Sequence, residues 1–192
     1  ISGASFSMEK SDSIGPRFAE DLKGAAAQSV IYAIVIIFLY ILIRFRKWTF
    51  SVGAVAALVH DVVITLGIFT LLSDVVSYNL LIDQNIIAAF LTIVGYSLND
   101  TVVVFDRIRE NKLVHKGMDT IEMFNKSLND TLSRTVITSL TTFFVVTILF
   151  IFGGEVLKGL SFALIIGVIL GTYSSLFVAS PLVLELDTKN TK

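Results

Sequence analysis

The sequence predicts an all-α membrane protein that crosses the bilayer five times, and three observations carry this prediction. Hydrophobic residues make up 54% of the 192 residues, and the mean hydropathy is +0.80, which excludes an ordinary water-soluble domain. Five apolar runs are each long enough to cross a bilayer as a helix. Arginine and lysine are concentrated in alternate connections between these runs, as in multi-pass membrane proteins.

The apolar runs divide the chain into a transmembrane domain with two polar ends. Residues 1–14 are polar and serine-rich, and we interpret them as the end of a truncated extracytoplasmic domain or as a tail. Pro16 begins a short interfacial lead-in, since proline is tolerated in the first turn of a helix. The transmembrane domain is predicted at residues 15–186, with spans at 24–43, 49–72, 86–105, 135–152 and 159–184, followed by a polar tail at 187–192.

The connections between the spans predict their orientation. Residues 44–47 and 106–134 are rich in arginine and lysine, whereas residues 73–85 hold two aspartates and no basic residue. By the positive-inside rule, the basic connections and the C-terminus are cytoplasmic, and the N-terminus and residues 73–85 and 153–158 lie outside. An outside N-terminus without a signal-peptide pattern leads us to expect an earlier helix that is absent from this sequence.

Two segments show a helical periodicity with a specific meaning. In the cytoplasmic connection, Asp119 and Glu122 have the spacing of a capping box and predict the start of a short surface helix. Its apolar face is marked by Ile121, Phe124, Leu128 and Leu132. The last span repeats a small residue every fourth position and predicts a closely packed helix interface, at Gly159, Ala163, Gly167, Gly171, Ser175 and Ala179.

The third span carries an acidic residue at a depth where hydrocarbon is predicted. Asp100 lies inside the apolar run, and a carboxylate there costs at least ~2.5 kcal/mol on insertion scales, so that it requires a partner or a function. Tyr96 and Asp100 are four residues apart and share one helical stripe, which predicts contact with other helices. Asn99 is a further polar residue beside them.

Arg134 provides a counter-charge for this carboxylate. It lies at the cytoplasmic entrance of the fourth span and shares a helical face with Thr138 and Thr142. Because the third and fourth spans are antiparallel, Asp100 and Arg134 are predicted to reach similar depths. Arginine keeps its proton, so Asp100 is the member that titrates, and we predict a proton relay. A static salt bridge is the alternative.

Asp61 is a second candidate, near the middle of the second span. We interpret it as an interhelical hydrogen-bond anchor, with a place on the proton path as the alternative. His60 is predicted not to share its face, because adjacent helical residues point about 100° apart.

Other chemistries find no support in the composition. The chain has no cysteine and two histidines far apart, which excludes thiolate and histidine-rich metal sites. It also lacks a phosphate-binding P-loop. We therefore expect no catalytic residues, no cofactor, no metal and no nucleic-acid partner.

Five motifs together resemble the SecF family of bacterial protein-export membrane proteins. The two most specific are GYSLNDTVVVFDRIREN and SLNDTLSRTVITSLTT, at residues 95–111 and 127–142. The others are the HD pair at 60–61, GPRFAEDLKGAA at 15–26 and LIIGVILGTYSSLFVASPLVLEL at 164–186.

The resemblance implies helices two to six of a six-helix half in a resistance–nodulation–division-type bundle. In that family the half pairs with SecD in the bacterial inner membrane, and the aspartate of GYSxNDT and the arginine of TLxRT are implicated in proton conduction. These match Asp100 and Arg134. The implied function is proton-motive-force-driven assistance to the Sec translocase, with the SecYEG translocon, accessory export proteins, preprotein and membrane lipids as partners. A separate SecF and the second half of a fused SecD–SecF chain both fit.

Three other functions compete with this one. A small-molecule or lipid exporter of the same superfamily would use similar relay chemistry. An intramembrane aspartyl protease would use Asp61 and Asp100 as its dyad. Against it, the sequence has GYSLND and HD where presenilin-like proteases have GxGD and YD, and Arg134 would hold Asp100 charged. A purely structural scaffold would tolerate Asp100→Asn without loss of function.

Overall fold

The structure, a computed structural model, describes residues 16–72, 75–76, 80 and 83–189, with side chains from residue 24 onward, and nearly all of these residues are helical. The helices are α1 (Pro16–Phe45), α2 (Trp48–Leu72), α3 (Gln84–Val114), α4 (Thr120–Phe152), α5 (Glu155–Ser174) and α6 (Ser180–Lys189). A π-helical segment, Ser175–Ala179, joins α5 to α6 without a break.

Five helices in the described residues are long and apolar enough to cross a membrane, with α5 to α6 counted as one. This confirms the prediction of an all-helical fold with five apolar helices. The predicted lead-in is continuous with the first span, because α1 begins at Pro16. Residues 1–14, most of the predicted outer connection at 73–85, and residues 190–192 lie outside the described residues. The orientation in the membrane stays a prediction.

Residues 106–134 differ from the predicted cytoplasmic loop with a separate surface helix. Both α3 and α4 continue past their apolar parts as a helical hairpin, and only residues 115–119 connect them. Interhelical polar contacts hold the hairpin: Arg107 Nη2 lies 2.7 Å from Asp130 Oδ2, and Asn111 Nδ2 donates to Ser127 Oγ at 2.9 Å. These contacts satisfy the polar groups of the extended part and keep it helical.

The beginning of α4 agrees only in part with the predicted surface helix. Asp119 is the N-cap, and its carboxylate accepts a hydrogen bond from the backbone N–H of Ile121 at 3.0 Å. Only part of the predicted apolar face is buried. Phe124 is buried, Leu128 is half-buried, and Ile121 and Leu132 are exposed, because α3 covers only one side of this helix.

The last span packs through its small residues, as their recurrence at every fourth position predicts. All six predicted positions are buried. A Cβ added to Gly167 would lie 2.2 Å from Ile93 Cγ1 on α3, and one added to Gly171 would lie 3.0 Å from Ser97 Cβ. The backbones of α5 and α3 therefore approach as closely as glycine allows.

The π-helical segment interrupts this span near its middle. Pro181 has no N–H for the carbonyl four residues earlier, so the regular α-helical bonding cannot continue through this point. The Ser180 hydroxyl instead donates to the Ser175 carbonyl at 2.9 Å. Such segments occur frequently at functional sites.

One end of the bundle carries most of the basic residues and is called here the basic end. There Asp187, on α6, accepts hydrogen bonds from Lys47 Nζ at 3.0 Å, Lys112 Nζ at 3.2 Å and Thr49 Oγ1 at 3.0 Å. These contacts tie α6 to the α1–α2 connection, α2 and α3.

Candidate functional site

Asp100 lies in the interior of the bundle, on the side of α3 that faces α4 and α5. Only 3% of the residue is exposed. Its Oδ2 accepts one long hydrogen bond, from Ser139 Oγ on α4 at 3.4 Å. Ser139 Oγ also lies 2.6 Å from Thr172 Oγ1 on α5. Asp100 is therefore a buried carboxyl at the junction of three helices, with a single weak hydrogen-bond partner among the described residues.

Arg134 is on the helix next to Asp100, but it is not bonded to it. In the described part of the chain, no ion pair within 4.0 Å joins the two side chains, and no hydrogen bond holds the guanidinium. On α4, Arg134 precedes Ser139, the partner of Asp100, by five residues. The Arg134 side chain is exposed on the surface of this chain. The two residues thus lie on neighbouring helices and are not paired in this structure, and the relay stays a prediction.

The other predicted site residues line the same α3–α4 contact or its edge. The Tyr96 hydroxyl donates to the Thr138 carbonyl at 3.3 Å and so links the two helices. Thr138 and Thr142 donate their hydroxyls to carbonyls of α4 itself, at 3.0 Å each. Asn99 is exposed. The structure therefore places Tyr96 at the contact between α3 and α4 and leaves Asn99 on the outer face.

Asp61 is completely buried and has more partners than Asp100. Its Oδ2 accepts hydrogen bonds from Ser97 Oγ on α3 at 2.6 Å and from Ser174 Oγ on α5 at 2.7 Å. His60 Nδ1 also lies 3.0 Å from Asp61 Oδ1, a contact that the angle of about 100° between adjacent helical residues did not lead us to expect. The imidazole is long enough to bridge the angle between adjacent residues. Asp61 is an interhelical anchor for α2, α3 and α5.

Sequence reasoning missed the hydroxyls that bind the two carboxyls. Ser97 and Ser174 were not singled out, and Ser139 was included only within the motif at residues 127–142. Thr172, which binds Ser139, was not singled out either. The available signal is weak: Ser97 is three residues before Asp100, and Ser174 follows a residue of the small-residue repeat by three. Both serines therefore lie near interfaces that the sequence did predict.

The geometry argues against a carboxyl dyad and a metal site. In the described residues, Asp61 and Asp100 bind different serines and share no hydrogen bond, whereas an aspartyl protease needs two carboxyls that share a proton. The described residues also contain no group of three acidic or histidine side chains that could hold a metal ion.

The family model for the protein export membrane protein SecD/SecF, C-terminal, matches residues 2–189. The chain belongs to the SecD/SecF family. This confirms the resemblance to a family of protein-export membrane proteins.

Individual relatives agree with the family match. The chain is 65% identical over 176 residues to the protein translocase subunit SecF of Rhodothermus marinus, and covers 57% of that protein and 92% of its own length. The chain is also 42% identical over 192 residues to the protein translocase subunit SecF of Petrotoga mobilis. This match covers 100% of this chain and 61% of that protein. The chain thus spans a little more than half the length of these relatives.

Solved structures extend the comparison to the fold. A crystal structure of SecDF, a translocon-associated membrane protein from Thermus thermophilus, superposes with a TM-score of 0.81 at 42% identity, over 91% of this chain and 23% of that one. SecDF in its super-membrane-facing form gives a TM-score of 0.80 at 41% identity, over 93% of this chain and 23% of that one.

Proposed function

We propose that this chain is the transmembrane part of a SecF subunit that uses the proton-motive force to promote protein export. Asp100 is the proton carrier and Arg134 is its electrostatic partner. The observation that carries the proposal is the burial of Asp100 with one long hydrogen bond, next to an arginine that has no ion-pair partner in the described residues. A carboxyl in this setting changes its charge when the distance to the arginine changes.

The energy available is sufficient for such a cycle. One proton that crosses the membrane supplies about 2.3 kcal/mol per 100 mV of potential. This can bias a conformational equilibrium whose states differ by a few kcal/mol. When Asp100 is ionised, it attracts Arg134 and favours the close state. When Asp100 is protonated, the attraction is lost and the separate state is favoured.

The exposed polar residues near Asp100 support a partner on this face. Asn99, Arg134 and Thr141 are exposed on α3 and α4, in parts of these helices that also carry the apolar spans. An arginine or amide that faces lipid is costly, so such residues face protein or a water-filled cavity. The SecD half is the partner we propose for this surface, in the bacterial inner membrane. The SecYEG translocon, accessory export proteins and the preprotein follow as further partners.

The test is proton-coupled export by the full-length protein with its SecD half, using substitutions within two helices. Asp100→Asn removes the titration and is expected to abolish proton-dependent activity while insertion is unchanged. Arg134→Met is expected to do the same, because the carboxyl then holds its proton more tightly. Arg134→Lys keeps the charge but loses the planar fork, and intermediate activity is expected.

Asp106→Asn is the matched control. Asp106 is on the same helix as Asp100, but it is half-exposed and pairs with Arg44 at the basic end. Its neutralisation should leave proton-coupled export nearly unchanged. Full export with Asp100→Asn would refute the relay and favour a scaffold. Proton flux that drives efflux of a small molecule, without preprotein export, would favour an exporter.

A further inference from the structure

The carboxyl of Asp61 is buried among α2, α3 and α5. It is 0% exposed, and no arginine or lysine contacts it in the described part of the chain. A buried carboxylate requires either a counter-charge or a full set of hydrogen-bond donors. Ser97 and Ser174 supply two donors to Oδ2. The remaining contact of this carboxyl within the described residues is the ring of His60, which can itself gain or lose a proton.

His60 connects Asp61 to the surface of the bundle. Its side chain is 26% exposed, whereas that of Asp61 is 0% exposed. Nδ1 faces the Asp61 carboxyl, and the ring stacks on Tyr173 with a centroid distance of 6.2 Å. An imidazole can accept a proton at one nitrogen and release one from the other. His60 therefore connects the surface of the bundle to a carboxyl that is itself completely buried.

Ser174 has an alternative to its bond with Asp61. Its hydroxyl lies 2.7 Å from Asp61 Oδ2 and 3.3 Å from the Gly171 carbonyl in its own helix. A neutral carboxyl is a weaker acceptor than a carboxylate, so loss of the charge favours the turn of this hydroxyl toward Gly171. Ser174 directly precedes the π-helical segment. The charge of Asp61 thus acts on the last span at the point where its helix is irregular.

Among the described residues, His60 is the only ionisable group that contacts Asp61. Asp100, on α3, binds Ser139 on α4, and Tyr173 on α5 stacks on His60. The π-helical segment has no charged residue, and α1 has none between residue 24 and Arg44. The remaining charged groups of α2, α3, α5 and α6 in the described residues lie toward the helix ends.

We propose that His60 and Asp61 form a second proton-binding site, separate from Asp100, whose ionised form fastens α2 to α3 and α5 and whose protonated form releases Ser174. The role of this site in coupling rests on the proposed proton-driven function. The proton enters at His60 Nε2 and gives an imidazolium. The Nδ1 proton passes to Asp61 Oδ1, which leaves a neutral carboxylic acid and a neutral imidazole with its proton on Nε2. Reversal of these steps releases the proton.

The test is an infrared titration of the full-length protein with its SecD half in lipid nanodiscs. A buried carboxylic acid gives a carbonyl band that disappears as the group ionises. The difference spectrum between the native protein and Asp61→Asn is expected to contain one such titrating band. If Asp61→Asn removes no titrating band, the carboxyl keeps one charge state and the proposal is overturned.

Two variants retain the Asp61 carboxyl and test its partners. His60→Phe keeps a ring against Tyr173 but removes both nitrogens, so the pH range in which the Asp61 band disappears should move. Ser174→Ala removes a donor to the carboxylate and should move this range in the same direction, because a charge-assisted hydrogen bond is lost.

Ser161→Ala is the matched control, because Ser161 is also completely buried on α5 but donates only to the Leu157 carbonyl of its own helix. It should leave the Asp61 band in place. The proposal would be overturned if neither His60→Phe nor Ser174→Ala changed the titration of the Asp61 band, or if Ser161→Ala changed it equally. These outcomes are distinct from failure of the proposed function, which is read from export with Asp100→Asn and not from the Asp61 band.

Discussion

The close contact between α5 and α3 makes a quantitative prediction for Gly167→Ala. The added Cβ would lie 2.2, 2.6 and 2.8 Å from Ile93 Cγ1, Cδ1 and Cγ2, whereas carbon atoms in contact are about 3.5–4.0 Å apart. Ile93 is 1% exposed and β-branched, so its χ1 is restricted within the helix and the side chain cannot move aside freely. We therefore expect the free energy of unfolding to fall by about 1–3 kcal/mol, as for other overpacked cores.

The measurement is equilibrium unfolding in mixed detergent micelles, with Gly95→Ala as the matched control. Gly95 is on α3, and a Cβ there would have no atom within 4 Å. The control should be neutral or gain up to ~1 kcal/mol from the higher helix propensity of alanine. Gly167→Leu, with a larger side chain, should prevent assembly of the helices.

A double-mutant cycle identifies the cause. Ile93→Ala alone should cost about 2–5 kcal/mol, because it leaves a cavity. Combined with Gly167→Ala it should cost less than the two single changes together, by about 1 kcal/mol or more, because the overlapping atoms are gone. If Gly167→Ala is as stable as Gly95→Ala, or if the two changes are additive, the close approach of α5 and α3 is not the constraint that the structure indicates.

Three further predictions concern a hydroxyl, an anchor and the topology. The Thr135 hydroxyl is buried and has no hydrogen-bond partner in the described residues, so Thr135→Val should raise the free energy of unfolding in micelles by up to ~1 kcal/mol. A loss of stability would mean that the hydroxyl is bonded. Asp187→Asn should lower the free energy of unfolding by about 1–3 kcal/mol, because the carboxylate accepts hydrogen bonds from Lys47, Thr49 and a second lysine. An unchanged free energy of unfolding would mean that these contacts are solvated. A cysteine at Val156, in a chain without native cysteine, should react with an impermeant reagent from outside, and reaction from the cytoplasm alone would reverse the predicted orientation.

The helices and one interface were predictable because their signals are local. Apolar length sets the number of spans, and a small residue at every fourth position identifies the buried face of the last span, down to Gly167 and Gly171. Asp119 could be assigned as an N-cap from its spacing to Glu122. Each of these features depends on residues within one helix.

The partners of the carboxyls were not predictable because they depend on contacts between helices. Serine in an apolar helix can bond to its own backbone, as Ser161 does, or to another helix, as Ser97 and Ser174 do, and nothing in the local sequence separates the two cases. The extension of α3 and α4 was missed for a related reason. Charged residues indicate a solvated loop until the contact between Arg107 and Asp130 is known.

Two of the connections between helices are very short and limit how far the helix ends that they join can separate. Two residues separate α1 from α2, where Arg46 has a positive φ of 56°, and two residues separate α4 from α5, where Gly154 has a φ of 74°. At about 3.6 Å or less per residue, such connections hold the helix ends within roughly 10 Å of each other. The α4–α5 connection lies at the opposite end of α5 from Ser174, and near Ser174 the two helices are joined by the contact between the Ser139 and Thr172 hydroxyls. Ser139, which binds Asp100, and Ser174, which binds Asp61, thus belong to the two helices of one hairpin.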